Sequence, residues 1–237
     1  MRVLLLNYEF PPLGGGAAPV TEHLSKALGK SGHSFDLVTM GFRGLPAEEK
    51  VGPIHVYRVP CRRKKKELST TLEMFSFLRP AWKKANALIA KNKYDLIHCH
   101  FIIPTGVIAW RLSKKHGIPY IISTHGSDIP CYNPDRFQLM HKLLLPFWRT
   151  IVRNAKRVLT PSESLRQLVL KSWNGSQDKI KAIHWGIDIS PAPKGKKENR
   201  IVFAGRLFDR KGAGTLVDAA LKMNLNGWEV AIVGDGP

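Results

Sequence analysis

Apolar residues along the chain fall into two alternating kinds of run. Short blocks dense in Val, Ile and Leu, such as Val3 to Leu6, are separated by longer stretches in which apolar positions recur every third or fourth residue. Apolar blocks without polar alternation suit strands covered on both faces, and helix-length connections suit parallel neighbours. The pattern predicts strands near 3–6, 35–39, 55–59, 96–99, 120–123, 157–160 and 179–184. It predicts helices near 20–31, 71–91, 105–115, 136–153 and 163–173, with Gly32, Gly117 and Gly175 placed as helix C-caps. Residues 1–187 therefore read as one α/β domain with a doubly wound, Rossmann-like parallel sheet.

Residues 188–199 are polar, basic and Pro-bearing, and read as a linker. A second βαβ unit follows over 200–237, with a strand near 201–204, a helix near 213–222 and a strand near 229–233. So short a piece cannot bury a core of its own, and it reads as the truncated start of a second Rossmann-like domain.

Composition sharpens the picture through charge. Lys and Arg total 37 against 18 Asp and Glu, a formal net charge of +19, which points to an anionic partner. Eleven basic residues against two acidic ones between 58 and 93 give that segment a net +9, interleaved with Phe75, Leu78 and Trp82. Basic residues among large apolar ones suit an anionic membrane surface, whereas no nucleic-acid-binding motif is present. Cys61, Cys99 and Cys131 form no metal or redox spacing, so a reducing, cytoplasmic setting is expected. The N-terminal apolar stretch stops at Asn7 and no run approaches the ~20 residues of a spanning helix. The expected location is the cytoplasm, with peripheral attachment to the inner face of the cell membrane.

Candidate chemistry gathers at predicted C-terminal strand ends, where open α/β sheets bind ligands. Gly14, Gly15 and Gly16 connect the first strand to the first helix, either as a phosphate- or sugar-approaching loop or as a tight turn. His98 and His100 share one face of a strand and either orient loops by hydrogen bonding or form a metal pair. His125 follows an apolar strand and precedes a glycine, three residues from Asp128, as a ligand-touching side chain should. Arg206 leaves a strand and Lys211 stands at the mouth of the next helix, so a diphosphate there would meet a planar fork, a point charge and backbone donors. A solvated basic loop is the alternative reading of that segment.

In order, the Gly-rich loop 14–16, His-Cys-His-Phe at 98–101, Ser-Thr-His-Gly-Ser-Asp at 123–128, Thr-Pro-Ser-Glu at 160–163, Gly-Ile-Asp at 186–188, the 205–212 segment and Val-Gly-Asp-Gly-Pro at 233–237 resemble the motifs of retaining GT-B glycosyltransferases of family 4. The resemblance implies an enzyme that moves a sugar from a nucleotide-sugar donor to a lipid-linked or glycan acceptor, with retention of configuration and without a metal or other cofactor. By that resemblance Gly15 and Gly16 lie against the donor phosphates or the acceptor, and His125 is the catalytic residue that bonds the transferred sugar. Arg206 and Lys211 neutralise the donor diphosphate, while His98, His100 and Asp128 face the acceptor or orient loops. No Asp-x-Asp sequence is present, as a metal-independent reaction would allow. Two departures stand out: Trp185 occupies the position of a common family Asn, and the family's donor-contacting glutamate pair has no counterpart up to Pro237. The resemblance thus implies a chain incomplete for catalysis by itself. Two readings of other classes are a non-catalytic binding module of the same ancestry and a metal-dependent hydrolase built on His98, His100 and Asp128.

Overall fold

The computed structural model describes all residues except 133–137, 188, 190, 192–194, 196 and 237, with 138–141 and 210 described by backbone alone. It divides into two compact units, Met1–Ile187 and Asp188–Pro237.

In the first unit the strands are β1 (Arg2–Leu6), β2 (Ser34–Met40), β3 (Glu48–Val51), β4 (Ile54–Val59), β5 (Leu96–His100), β6 (Tyr120–Ser123), β7 (Arg157–Thr160) and β8 (Ile180–Ala182). They form one sheet in the order β3-β4-β2-β1-β5-β6-β7-β8, parallel except for β3, which pairs antiparallel with β4. The helices are α1 (Ala17–Gly29), α2 (Thr71–Lys91), α3 (Thr105–His116), α4 (Gln138–Asn154) and α5 (Glu163–Ser172). Alternate residues of β1 feed opposite cores: Leu4 and Leu6 pack with Phe77 of α2 and Ile108 of α3, and Val3 and Leu5 with Phe35, Leu37, Ile54 and Val56. The chain leaves β1 toward β2 and later returns to β1's other side as β5, so the strand order reverses between β1 and β5. That reversal opens a crevice beyond the strands' C-terminal ends.

Several local expectations are corrected. Helix α1 starts at Ala17 rather than near 20, because Pro19 within its first turn has no N–H that the helix could use. The predicted start of α4 at 136 lies outside the described residues. Gly117 caps α3 with φ +72, but Gly175 caps nothing. A Cβ at Gly175 would come within 2.2 Å of the Trp173 ring, so it is the indole's close approach that selects glycine there. Edge strand β3 was hidden by its polar sequence. Its Glu49 lies 2.6 Å from the Arg58 guanidinium, which is buried and also donates to the Pro46 and Pro11 carbonyls. Arg58 therefore belongs to the fold and not to the basic surface.

The basic strand of chain ahead of α2 is anchored by a capping box. Thr70 Oγ1 accepts from the Glu73 N–H, and the buried Glu73 carboxylate accepts from the Thr70 and Lys64 N–H groups.

In the second unit β9 (Arg200–Ala204) and β10 (Glu229–Val233) pair in parallel, joined through α6 (Ala213–Lys222). No residue of α6 is buried, and Val202, Leu221 and Val233 are 58%, 81% and 59% exposed.

Replacing Thr70 by Ala removes one half of the capping box. It should lower unfolding stability by about 1 kcal/mol in a urea titration, with no change in the slope of the transition.

Candidate active site

The crevice is lined by side chains from three strand ends and one helix. His98 and His100 leave β5 on one face and stack with ring centroids 4.7 Å apart. His98 Nε2 lies 2.8 Å from Ser123 Oγ of β6. His100 Nδ1 lies 3.0 Å from His125 Nε2 and 3.2 Å from Thr21 Oγ1 of α1. Asn7, just beyond β1, donates from Nδ2 to the same Thr21 oxygen at 2.7 Å. Asp128 fixes the loop carrying His125: one carboxylate oxygen accepts from the His125 N–H at 3.0 Å, the other from the Ile102 N–H at 2.9 Å. Trp148 of α4 donates to the Asp128 carbonyl.

All three imidazoles are neutral at pH 7, because burial penalises the cation. It lowers His98 to about 4 and His125 to about 3, and it takes His100 far below the ordinary value. Burial also pushes the Asp128 carboxyl up to about 6, against the pull of the backbone N–H groups that it accepts. His100 Nε2 is buried with no partner among the described residues, and an orphaned N–H there would be the costlier state. His100 therefore carries its proton on Nδ1 and shares it between Thr21 and His125. Thr21 Oγ1, already accepting from Asn7 and His100, directs its own proton to the Ala17 carbonyl. His125 accepts at Nε2, so its proton sits on Nδ1, which makes no hydrogen bond among the described residues. The half-buried ring lies between Phe101, at 4.6 Å, and Trp185, at 5.8 Å. The network thus presents one neutral N–H donor to the crevice.

Phe101 is held at φ +76, an unusual conformation for a bulky side chain that costs about 1–3 kcal/mol. Its N–H donates to the Ser123 carbonyl, and its own carbonyl accepts from Thr105 Oγ1 and the Gly106 N–H. These bonds hold the ring against both His125 and Tyr8.

The Gly-rich loop enters the crevice from β1. Gly14 is conformationally demanding, with φ +98 and a hypothetical Cβ 2.6 Å from the Glu9 side chain. The Gly15 N–H is engaged by a Glu9 carboxylate oxygen at 3.2 Å, so a phosphate approaching it must displace that carboxylate. Gly16 caps α1 with ordinary φ −60 and open space where a side chain would be.

Arg206 and Lys211 lie in the second unit, on the loop between β9 and α6. Both are exposed, and neither makes an ion pair among the described residues. The Arg206 guanidinium lies over the Phe208 ring, and Lys211 ends the 3₁₀ turn before Gly212, the N-cap of α6. Gly234 explains the closeness of the last segment: its Cβ would overlap the Gly205 carbonyl oxygen.

The structure thus brings Gly15, Gly16, His98, His100, His125 and Asp128 to one crevice of the first unit and places Arg206 and Lys211 together in the second. The hydrolase alternative has no ligand set: among the described residues no group of three or more His, Cys, Asp and Glu side chains is placed to hold a metal. Sequence reasoning did not single out Asn7, Thr21 and Ser123, whose roles depend on partners distant in the chain. Nor did it assign Trp185 its stacking role.

A doubly wound sheet with a polar crevice at its switch point, followed by a second βαβ unit, defines a Rossmann-like fold of the GT-B glycosyltransferase type. The chain superposes over 99% of its length on 62% of sucrose-phosphate synthase from Thermosynechococcus elongatus, with a TM-score of 0.78 and 19% identity, a likeness of fold. Residues 14–191 match the profile of Glycosyltransferase Family 4, and the chain belongs to that family. It is 27% identical over 258 aligned residues to an uncharacterised glycosyltransferase of Methanocaldococcus jannaschii, covering 100% of this chain and 63% of the relative. It is 26% identical over 257 residues to the 2-deoxystreptamine N-acetyl-D-glucosaminyltransferase of Streptomyces fradiae, covering 97% and 60%. The chain therefore spans about 60–63% of the length of these relatives.

Because His98 is depressed from 6.5 to about 4, the stability it contributes is complete above pH 6.5 and is lost as pH falls through about 4. In melts taken from pH 7 downward, the stability advantage of the wild type over His98→Gln should shrink below pH 6.5 by about 1.4 kcal/mol per pH unit. A pH-independent difference would mean that His98 is not buried neutral.

Proposed function

We propose that this protein is a glycosyltransferase that moves a sugar from a nucleotide-sugar donor to a hydroxyl of a lipid-linked or glycan acceptor. The observation that carries the reading is the neutral His125, oriented through His100 and Thr21 at the switch-point crevice of a family 4 chain. A neutral Nδ1–H can bond a sugar hydroxyl or ring substituent without adding positive charge beside a carbon that becomes cationic as the donor bond breaks. An imidazolium there would oppose the reaction.

The leaving diphosphate needs positive charge instead, and Arg206 and Lys211 are suited to supply it. Both are unpaired among the described residues, and they stand beside the α6 N-terminus, which has no acidic residue in its first turn. With this charge the departure of the diphosphate requires no metal. A diphosphate oxygen held beside the acceptor hydroxyl can take its proton, so that attack comes from the face the leaving group departs and configuration is retained. The Gly15 N–H can itself serve a phosphate group that takes the place of the Glu9 carboxylate oxygen it now meets. The exposed part of the 58–93 segment, Arg58 excepted, favours docking on an anionic membrane at the cytoplasmic side. Among the described residues no helix is long and apolar enough to cross a membrane.

In the protein as it occurs naturally, His125→Ala should lower kcat about 100-fold with little change in donor affinity. Arg206→Ala should both raise KM for the donor and lower kcat, because the diphosphate is charged before and during reaction. Lys211→Ala should be milder, since the neighbouring helix N-terminus partly replaces a point charge. Steady-state kinetics with calorimetry of nucleoside-diphosphate binding separates these. If His125→Ala abolished diphosphate binding and Arg206→Ala left it intact, the roles would be wrongly assigned.

A further inference from the structure

In the segment 183–187 that follows β8, Trp185 is half-buried while the residues on either side of it are exposed. The Ile183 N–H still donates to the Thr160 carbonyl at the end of β7. Two residues later the indole lies against His125, with ring centroids 5.8 Å apart and 26° between the planes. Strand β7 separates β8 from β6 in the sheet, so Trp185 reaches across a whole strand to make this contact. Domain packing does not account for the inward turn, because Trp185 belongs to neither hydrophobic core. Hydrogen bonding does not account for it either. The Trp148 and Trp173 N–H groups donate to the Asp128 and Ser176 carbonyls, whereas the Trp185 N–H makes no hydrogen bond among the described residues. What the inward turn achieves is the cover of one imidazole.

The titratable groups set around His125 are His98 and His100 on β5 and Asp128 on its own loop, which meets the His125 backbone N–H. Phe101 and Trp185 bring no charge, and His184, beside Trp185 in the chain, is exposed. An indole against an imidazole has two opposing effects. Its face attracts the cationic ring, by the equivalent of about one pH unit. Its bulk keeps away the water that the cation needs. Burial is the leading cause that lowers His125 from 6.5 to about 3, so the exclusion of water outweighs the attraction.

We propose that Trp185 is a positioning residue for His125: it shields the imidazole from water and fixes the ring so that its single outward N–H stays uncharged and directed into the crevice. The proposal rests on the transfer reading for its catalytic consequence, and its first test needs no donor. Nitrogen NMR of the 237-residue chain, titrated from neutral to acid, follows His125 and His98 together. In Trp185→Ala the His125 midpoint should rise by at least about one pH unit, while His98, bonded to Ser123, stays near 4. Trp185→Phe keeps an aromatic face and should restore the wild-type midpoint. A His125 midpoint unchanged in Trp185→Ala, or lowered as it would be if the indole mainly attracted the cation, would overturn the proposal. So would an equal rise at His98, the sign of a crevice loosened as a whole. In the protein as it occurs naturally, the acid limb of the kcat profile for sugar transfer should move to higher pH by the same interval in Trp185→Ala and return in Trp185→Phe. An NMR shift without that movement would support the shielding by Trp185 and count against the transfer reading of His125 alone.

Discussion

Burying imidazoles without a counter-charge forces them to stay neutral, and the candidate site depends on that constraint. His98, His100 and His125 meet where the strand order reverses at β1 and β5, surrounded by Phe101, Trp185 and the end of α1. Since none can take a second proton at ordinary pH, the hydrogen bonds among them must be arranged by donor and acceptor count. Asn7 and Thr21 complete that count from the other side of the crevice. One N–H donor is left facing outward at His125, a group able to orient a polar ligand without adding net charge.

Backbone geometry holds this arrangement in place. The strained Phe101 couples the two halves of the crevice: its backbone ties β5 to β6, and its ring packs against both His125 and Tyr8. Asp128 does the same for the following loop by accepting from backbone on both strand ends, so its conversion to a neutral acid or its removal would loosen the position of His125 more than the chemistry of the ring. The second unit has a different character. Its apolar side chains are largely exposed, and among the described residues Arg206 and Lys211 make no ion pair.

Much of this was legible in the sequence, for identifiable reasons. Strands buried on both faces advertise themselves as unbroken Val, Ile and Leu, so β1, β2, β5, β6 and β7 were readable, and the sites at their C-terminal ends followed from the fold class. His125 and Asp128 could be placed at such an end because their His-Gly-x-Asp sequence directly follows the apolar run of β6. By contrast, β3 was invisible: its residues are polar, and it exists because Glu49 pairs with Arg58 and the turn at Gly52 returns the chain. The same pair removed Arg58 from the basic surface, a fact no charge count could reveal. Thr21 and Asn7 carried no local signal, since each matters only through a histidine about 80 to 90 residues away. The positive φ of Phe101 has no signature in sequence, because strain of this kind is imposed by the surroundings.

The proton arrangement at His125 is the point on which fold, electrostatics and proposed chemistry converge, and nitrogen NMR of the histidine side chains measures it directly. At pH 7 the ¹⁵N shifts should show neutral rings at His98, His100 and His125, with the proton of both His100 and His125 on Nδ1. An imidazolium at any of the three, or a proton on Nε2 of His125, would contradict the account.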